Sequence, residues 1–444
     1  MYHDLSGERL RCPAGLIGRR FDGQLLVLGV EDDEVERVDG LTAAVLTAAW
    51  SGATVEQLEG VVSAELQRDS AAVFSTVVQL LRRGWLEIVP HGSPDGPSSG
   101  CPASDVSAVA ERVVQGVLAL LPATSLGPTE WLRRVQIDRL TPLAELVTRG
   151  QSGLVPDGAA SALADAARDR VCWSMMAERS GLDAARVLSA HGVRFVALKG
   201  IAAAHLDYHD PALRELGDVD FLVDPADVPA ADVALRSIAD PMEELSDGLR
   251  LRNKERVFCT ATNVEIDLHH RLLEDPFGRA VPVRQLFDTA TPFVVAGVRL
   301  LALGTPYRLA HAVTHWAASP LPSRRASSLV DVVAMSGDLD AVERAREILA
   351  GWSLGCLAGA VSQLPGQPRA DRSRARSVLF QRSLQGSRLA NELAAVVAEP
   401  SLAGRGRQVW ARLHPSDELM ALHGVSRSYR LVRFSRRVMT SGRG

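Results

Sequence analysis

Acids inside apolar strands constrain this chain more than any other feature. The stretch VALKGIAAAHLDYHDPALRELGDVDFLV runs from Val196 to Val223. Its apolar start ends in Lys199-Gly200, and its close is Asp218-Val219-Asp220 followed by Phe221-Leu222-Val223. A second apolar run, Val264-Glu265-Ile266-Asp267-Leu268, carries further acids. Carboxylates are seldom buried without a partner, and three brought together repel one another unless a cation lies between them. The pattern therefore predicts strands that converge on a magnesium ion handling a nucleoside triphosphate.

The spacing supports this. Phe195–Leu198 reads as a strand, Gly200–His205 as the start of a helix, and Val219–Val223 as a second strand. Residues two apart in a strand share a face, so Asp218 and Asp220 project together, and Glu265 and Asp267 repeat the arrangement. Magnesium takes octahedral oxygens from one or two carboxylates, phosphate and water. One ion or a pair would serve an in-line displacement. Backbone amides near Gly200 would meet phosphate as helix N-termini do. The chain has 47 arginines and only two lysines, Lys199 and Lys254, so a lysine beside Gly200 stands out. A compact ammonium suits a tight phosphate site that a guanidinium does not. Arg214, in the loop before the acidic pair, reads as a phosphate contact or as the partner of a nearby acid.

Composition narrows the class. Of 444 residues, 46% are hydrophobic and 23% charged, as expected of a globular protein with sizeable cores. The start, MYHDLSGERLRCPAG, lacks the pattern of a signal peptide. No apolar run approaches the roughly 20 residues of a membrane span. Five scattered cysteines without a CxxC fit a reducing, cytoplasmic setting. Residues 1–90 hold 14 acids against 8 arginines, whereas residues 366–444 hold 15 arginines against 5 acids. The basic tail reads as a solvated face or an anion-binding surface. Its few aromatics argue against single-strand stacking.

Four segments are expected. Residues 1–89 form a first domain, and the Pro/Gly/Ser-rich residues 90–104 a linker. Residues 105–302 hold a helical lead-in and the acid-bearing core, and 303–444 a helical region with the basic tail. In the first domain, Leu25–Leu28 and Val35–Val38 read as strands. Helices follow at Leu41–Trp50, after a Thr54/Gln57 capping box, and through Val73, Phe74, Val77, Val78, Leu80 and Leu81. Trp85–Val89 reads as a closing strand. The layout is of winged-helix type.

This order resembles the PqqD family of leader-peptide recognition domains. The residues that carry the likeness are the early strands, Val38-Asp39-Gly40, the Gly52-x-Thr54 break and Leu80-Leu81-Arg82-Arg83-Gly84-Trp85-Leu86. The resemblance implies a leader or precursor peptide added as a strand beside Val35 and Arg37 and packed on Phe74 and Val78. The acidic balance of the domain argues against nucleic acid as its partner.

The run Leu198-Lys199-Gly200, Tyr208, Asp210-Pro211, Arg214, Asp218-Val219-Asp220-Phe221-Leu222-Val223 and Glu265-Ile266-Asp267-Leu268-His269 resembles the uncharacterised nucleotidyltransferase family of the DNA polymerase beta superfamily. The likeness covers roughly residues 160–340. It implies an α+β fold, a mixed sheet flanked by helices with a helical C-terminal part. It also implies Asp218, Asp220 and Asp267 as catalytic metal ligands. His311, His315 and Asp331 match a pattern common in that family. Lacking a Glu beside the first His, the pair reads as structural or substrate-facing rather than as a zinc site. His269 shares a face with Asp267 and reads as support for the site.

The combined expectation is a cytoplasmic, Mg²⁺-dependent nucleotidyltransferase. It would move a nucleoside monophosphate from an NTP to a hydroxyl-type acceptor, a leader-bound ribosomal peptide. The alternatives are a small-molecule, antibiotic-modifying nucleotidyltransferase, a non-catalytic peptide-binding adaptor, and a toxin acting on RNA.

Overall fold

The computed structural model describes residues 9–89, 118 and 126–354, with interruptions at 22–23, 31, 33, 39, 51, 67–69, 150–151, 243–253, 274–277, 279–280, 319–325 and 353. The expected linker 90–104 and basic tail 366–444 lie outside the described residues.

Nine elements open the chain: β1 (Arg9–Arg11), β2 (Ile17–Phe21), β3 (Gln24–Leu28), β4 (Glu36–Val38), α1 (Gly40–Trp50), β5 (Ala53–Thr54), α2 (Val55–Leu66), α3 (Ser70–Arg82) and β6 (Glu87–Val89). They form two three-stranded sheets, β5-β1-β6 and β2-β3-β4. The Thr54/Gln57 capping box forms: the Thr54 N–H donates to Gln57 Oε1 at 2.9 Å, and the Gln57 N–H to Thr54 Oγ1 at 3.2 Å. Gly84, at φ +71°, ends α3. The closing strand starts later than its sequence suggests, because Trp85 sits in the turn with its ring buried in the local core.

Strand β3 splits two cores. Leu25 and Val27 point into the core made with α1, α2 and α3. Leu26 and Leu28, with Ile17 and Phe21, point the other way and join the core of the next part of the chain. The period-two alternation of a strand buried on both faces produces this directly.

The rest comprises α4 (Pro128–Ile137), α5 (Thr141–Thr148), α6 (Ala160–Ala190), β7 (Phe195–Ala197), α7 (Lys199–Leu206), β8 (Asp218–Val223), α8 (Val228–Leu235), β9 (Ala239–Pro241), β10 (Glu255–Thr260), β11 (Glu265–His269), α9 (Val283–Asp288), β12 (Thr291–Val295), β13 (Val298–Ala302), α10 (Thr305–Ala318), α11 (Ala326–Met335) and α12 (Leu339–Gly351). The class is α+β, with a seven-stranded mixed sheet ordered β12-β13-β7-β8-β11-β10-β9. β8 runs parallel to β11 and antiparallel to β7.

Each sheet face has its own helical layer. Val219, Phe221, Ile266 and Leu268 pack on α6, whose 31 residues span about 46 Å at 1.5 Å each. The approach is close at Gly181, where a Cβ would lie 2.9 Å from Val219. On the opposite face, Val196 and Leu222 pack with Leu303, Leu309 and Val313.

Polar contacts tie the first part to α6. Arg19, buried in β2, donates to both Glu178 oxygens at 2.7 and 2.6 Å. His205, at the end of α7, meets the same carboxylate at 2.8 Å. Arg179 donates to the carbonyls of Gly15, Gly29 and Val30. Burial by itself would raise the Glu178 carboxyl, but the charges of Arg19 and His205 outweigh it and hold it at about 2. A group lowered on folding stabilises the fold above its ordinary value of 4.5, and that contribution fades as pH falls toward 2. The contribution is on the order of 3 kcal/mol, one pKa unit being about 1.4 kcal/mol. Denaturant melts should therefore show the wild type weakening between those values more steeply than Glu178→Gln; parallel profiles would refute the coupling.

Candidate active site

The site is built on the sheet face opposite α6. Across the parallel pair β8–β11, Asp220 lies in register with Asp267 and Asp218 with Glu265. Across β10–β11, Glu255 lies in register with His269. Five acids therefore share one face of three neighbouring strands. The sequence pattern exposes four of them. Glu255 escapes it, because only the strand pairing reveals its neighbour.

Asp220 is the centre, at 2% exposure. Its Oδ1 accepts from Lys199 Nζ at 2.6 Å and from His269 Nε2 at 2.8 Å. Burial alone would raise its carboxyl. The Lys199 charge and the His269 hydrogen bond prevail and hold it well below the usual carboxylate range. His269 is fully buried, which pushes its imidazole down. Its Nε2–H is committed to Asp220, and its Nδ1 lies 3.2 Å from Glu255. His269 thus braces Asp220. Lys254, the second lysine, pairs with Glu255 at 2.7 Å.

Asp267 behaves in the opposite way. Burial, then the charges of Asp220, Glu255 and Asp218, push it up to about 8. Its Oδ1 is buried without a hydrogen-bond partner. Ligand atoms of Asp220, Asp267 and His269 lie within 4.8 Å of one another. Two adjacent carboxylates, one with an orphaned oxygen and a raised pKa, form a donor set that suits a hard divalent cation. Asp218, the other expected ligand, stands at the mouth of the site. Its Oδ1 accepts from Arg139 at 3.3 Å.

Lys199 starts α7 with φ +40°, a left-handed conformation uncommon outside glycine. Gly200 follows, buried against Leu216. Both line a cavity of about 250 Å³ together with Arg139, Asp218, Asp220 and His315. The sequence offered no signal for Arg139. It comes from the turn between α4 and α5, also at positive φ, and its guanidinium lies over Gly217, where a Cβ would come within 2.4 Å.

Arg214 lines the same cavity, but each of its three nitrogens already has a partner. Its fork meets Asp331 at 2.7 and 2.8 Å, and Nη1 donates to the Glu215 carbonyl. Tyr208 donates to Asp331 at 2.7 Å. Of the two roles open to Arg214, the structure displays the ion pair, and Asp331 is its partner. His311 and His315 sit one turn apart on α10 with ring centroids 6.4 Å apart. Glu265 is exposed beside Asp218.

The expected peptide contacts divide between two faces. Val35, just ahead of β4, packs with the core around α6, and exposed Arg37 is in register with Leu26, which points the same way. Phe74 and Val78, half-buried on α3, pack with the other core. β4 pairs only with β3, so among the described residues its outer edge carries no strand. Arg83, just past the end of α3, pairs with Glu36 of β4.

The model of a family described as uncharacterised nucleotidyltransferase matches residues 127–361. That span contains the whole seven-stranded sheet, the clustered acids and α10 to α12. The chain is therefore a nucleotidyltransferase, an enzyme that uses a nucleoside triphosphate. It belongs to the uncharacterised nucleotidyltransferase family. Among solved structures, it is similar to an antigenic nucleotidyltransferase-like protein from Paracoccidioides brasiliensis. The identity is 14% over 40% of this chain and 88% of that one, with a TM-score of 0.25, a likeness too low to carry an argument. No curated protein matches the chain. No described helix is long and apolar enough to cross a membrane.

Gly217→Ala isolates Arg139. The added methyl meets the movable end of a side chain, so the melting temperature should stay within a few degrees of wild type. Displacing a partly exposed charge costs about 1 kcal/mol, so triphosphate affinity should fall several-fold in a calorimetric titration. Unchanged affinity would remove Arg139 from the site.

Proposed function

We propose that the enzyme transfers a nucleoside monophosphate from an NTP to a hydroxyl acceptor in a Mg²⁺-dependent reaction. The acceptor oxygen bonds the α-phosphorus, the bond to the bridging oxygen breaks, and pyrophosphate leaves with the electron pair as the hydroxyl proton is released. The observation that carries the reading is the in-register pair Asp220 and Asp267, with Lys199 on the first and an orphaned oxygen on the second.

Asp220 and Asp267 would hold the ion, and Asp218 at the mouth would complete the set. A bound Mg²⁺ supplies charge neutralisation and orientation for the triphosphate. Lys199 and Gly200 line the same cavity, where an ammonium and the amides of a helix start suit phosphate oxygens. Arg139 adds a second cation there. Arg214 acts through Asp331, fixing the loop that leads into β8. Glu265 contributes negative charge at the rim.

The first 89 residues fit a winged-helix, PqqD-like module that recognises a peptide, with residues 90–104 as its linker to the catalytic part. The open edge of β4 could take an extended peptide as a further strand. Alternate side chains of that strand would meet Phe74 and Val78 on one face and Val35 and Arg37 on the other. Holding the acceptor by its leader would raise its local concentration at the active site. In this reading the acceptor is a ribosomally made peptide and the setting is the cytoplasm.

Two measurements test this. In calorimetric titrations of each NTP with and without Mg²⁺, Mg²⁺-dependent binding should appear in wild type and weaken at least tenfold, about 1.4 kcal/mol, in Asp220→Asn and Asp267→Asn. Equal binding by the variants would refute the metal assignment. In hydrogen exchange, a cognate precursor peptide should protect amides of residues 35–38, and Phe74→Asp should abolish the protection. Protection confined to other segments would refute the docking edge.

A further inference from the structure

A second, smaller cavity adjoins the first. It holds about 40 Å³ and is lined by Leu198, Lys199, Leu303, His311, Ala312 and Met335, among others. Lys199, Arg214, His315 and Ser328 border both cavities. The smaller one therefore opens beside the lysine that contacts Asp220.

One of the residues that line it carries an unmet polar atom. His311 is 3% exposed, and its Nε2 is buried with no hydrogen-bond partner. A buried polar atom left unpaired costs about 1–3 kcal/mol. Native proteins keep such groups sparingly, and an unpaired one asks for a function. Burial, with the nearby Lys199 charge, pushes the His311 imidazole well below the ordinary histidine value. The same causes bring His315 to about 4. Both rings are therefore neutral near pH 7, and an uncharged imidazole suits an uncharged partner better than a phosphate.

The size of the cavity limits that partner. One water needs roughly 10–15 Å³ on this scale, so the space takes a few non-hydrogen atoms and excludes an aromatic ring. We propose that this inner cavity seats the hydroxyl-bearing end of the acceptor against His311 Nε2, and that the acceptor presents a primary alcohol on a narrow stem, as a serine side chain does. The inference rests on the nucleotidyltransferase reading of the same site and adds the acceptor class to it. The triphosphate occupies the larger, cation-lined cavity, and the alcohol reaches the α-phosphorus from the smaller one. His311 binds and orients the hydroxyl.

The test uses the full chain with Mg²⁺ and α,β-methylene-ATP, with its histidines labelled with ¹⁵N on the ring. The His311 signal is identified by its loss in His311→Asn. Titration with N-acetylserinamide should shift that signal saturably, and N-acetyltyrosinamide should not. Ala312→Leu, which fills the cavity from its wall, should weaken the serinamide response at least tenfold; should His311→Asn fail to fold, the histidine ring signal that shifts with serinamide and loses that shift in Ala312→Leu carries the test. An unmoved His311 signal up to the solubility of serinamide, or equal shifts with both amides, overturns the acceptor seat. Nucleotide binding is read in the same sample. If the analogue binds and serinamide has no effect, only this inference falls. If the analogue fails to bind with Mg²⁺, the nucleotidyltransferase mechanism falls, and this inference with it.

Discussion

The rest of the site depends on the buried carboxylate of Asp220. Removing a carboxylate from water costs several kcal/mol even after the protein relaxes. Lys199 and His269, both on Oδ1, offset that cost. To bring its ammonium there, Lys199 takes up a left-handed backbone conformation at the first residue of α7. A glycine would adopt it without strain but carries no charge. The fold accepts a strain of about 1–3 kcal/mol to keep a cation against Asp220. Asp267, next to it in register, receives no such partner, and the contrast marks where positive charge is missing.

Around this centre, arginine and lysine have different tasks. The guanidinium forks of Arg214 on Asp331 and Arg308 on Asp207 tie the segment after α7 to α10 and α11. Arg19 on Glu178 ties the first sheet to α6. The first two are planar, two-point contacts between elements distant in the chain, which a point charge cannot reproduce, whereas Arg19 reaches both Glu178 oxygens through Nη2 alone. Lys199 pairs with Asp220 and Lys254 with Glu255. A protein that otherwise uses arginine has both of its lysines on the acidic face.

The first part of the chain is not merely tethered to the enzyme. Its β2-β3-β4 sheet has helices α1 to α3 on one side and α6 on the other, so β3 contributes to two cores. His205, six positions after Lys199 on α7, touches the Glu178–Arg19 pair. The sheet whose edge could take a peptide is thus in polar contact with the helix that starts at the site.

The sequence by itself determined the local pattern. Alternation in Asp218–Val223 and Glu265–His269 fixed which acids share a face, because a strand's side chains repeat every two residues. The capping box at Thr54 and the stop at Gly84 were legible because they are chemistry between near neighbours. The rarity of lysine singled out Lys199. Tertiary structure decided which strands lie side by side, and with them the juxtaposition of Asp220 and Asp267 and the arrival of Glu255. It also brought Arg139 across from a distant turn, gave Arg214 to Asp331, and left His311 with an unpaired nitrogen beside a small cavity. Periodicity specifies the face of an element but not its neighbour. Neighbours follow from register and packing between segments far apart in the chain, which no local pattern encodes.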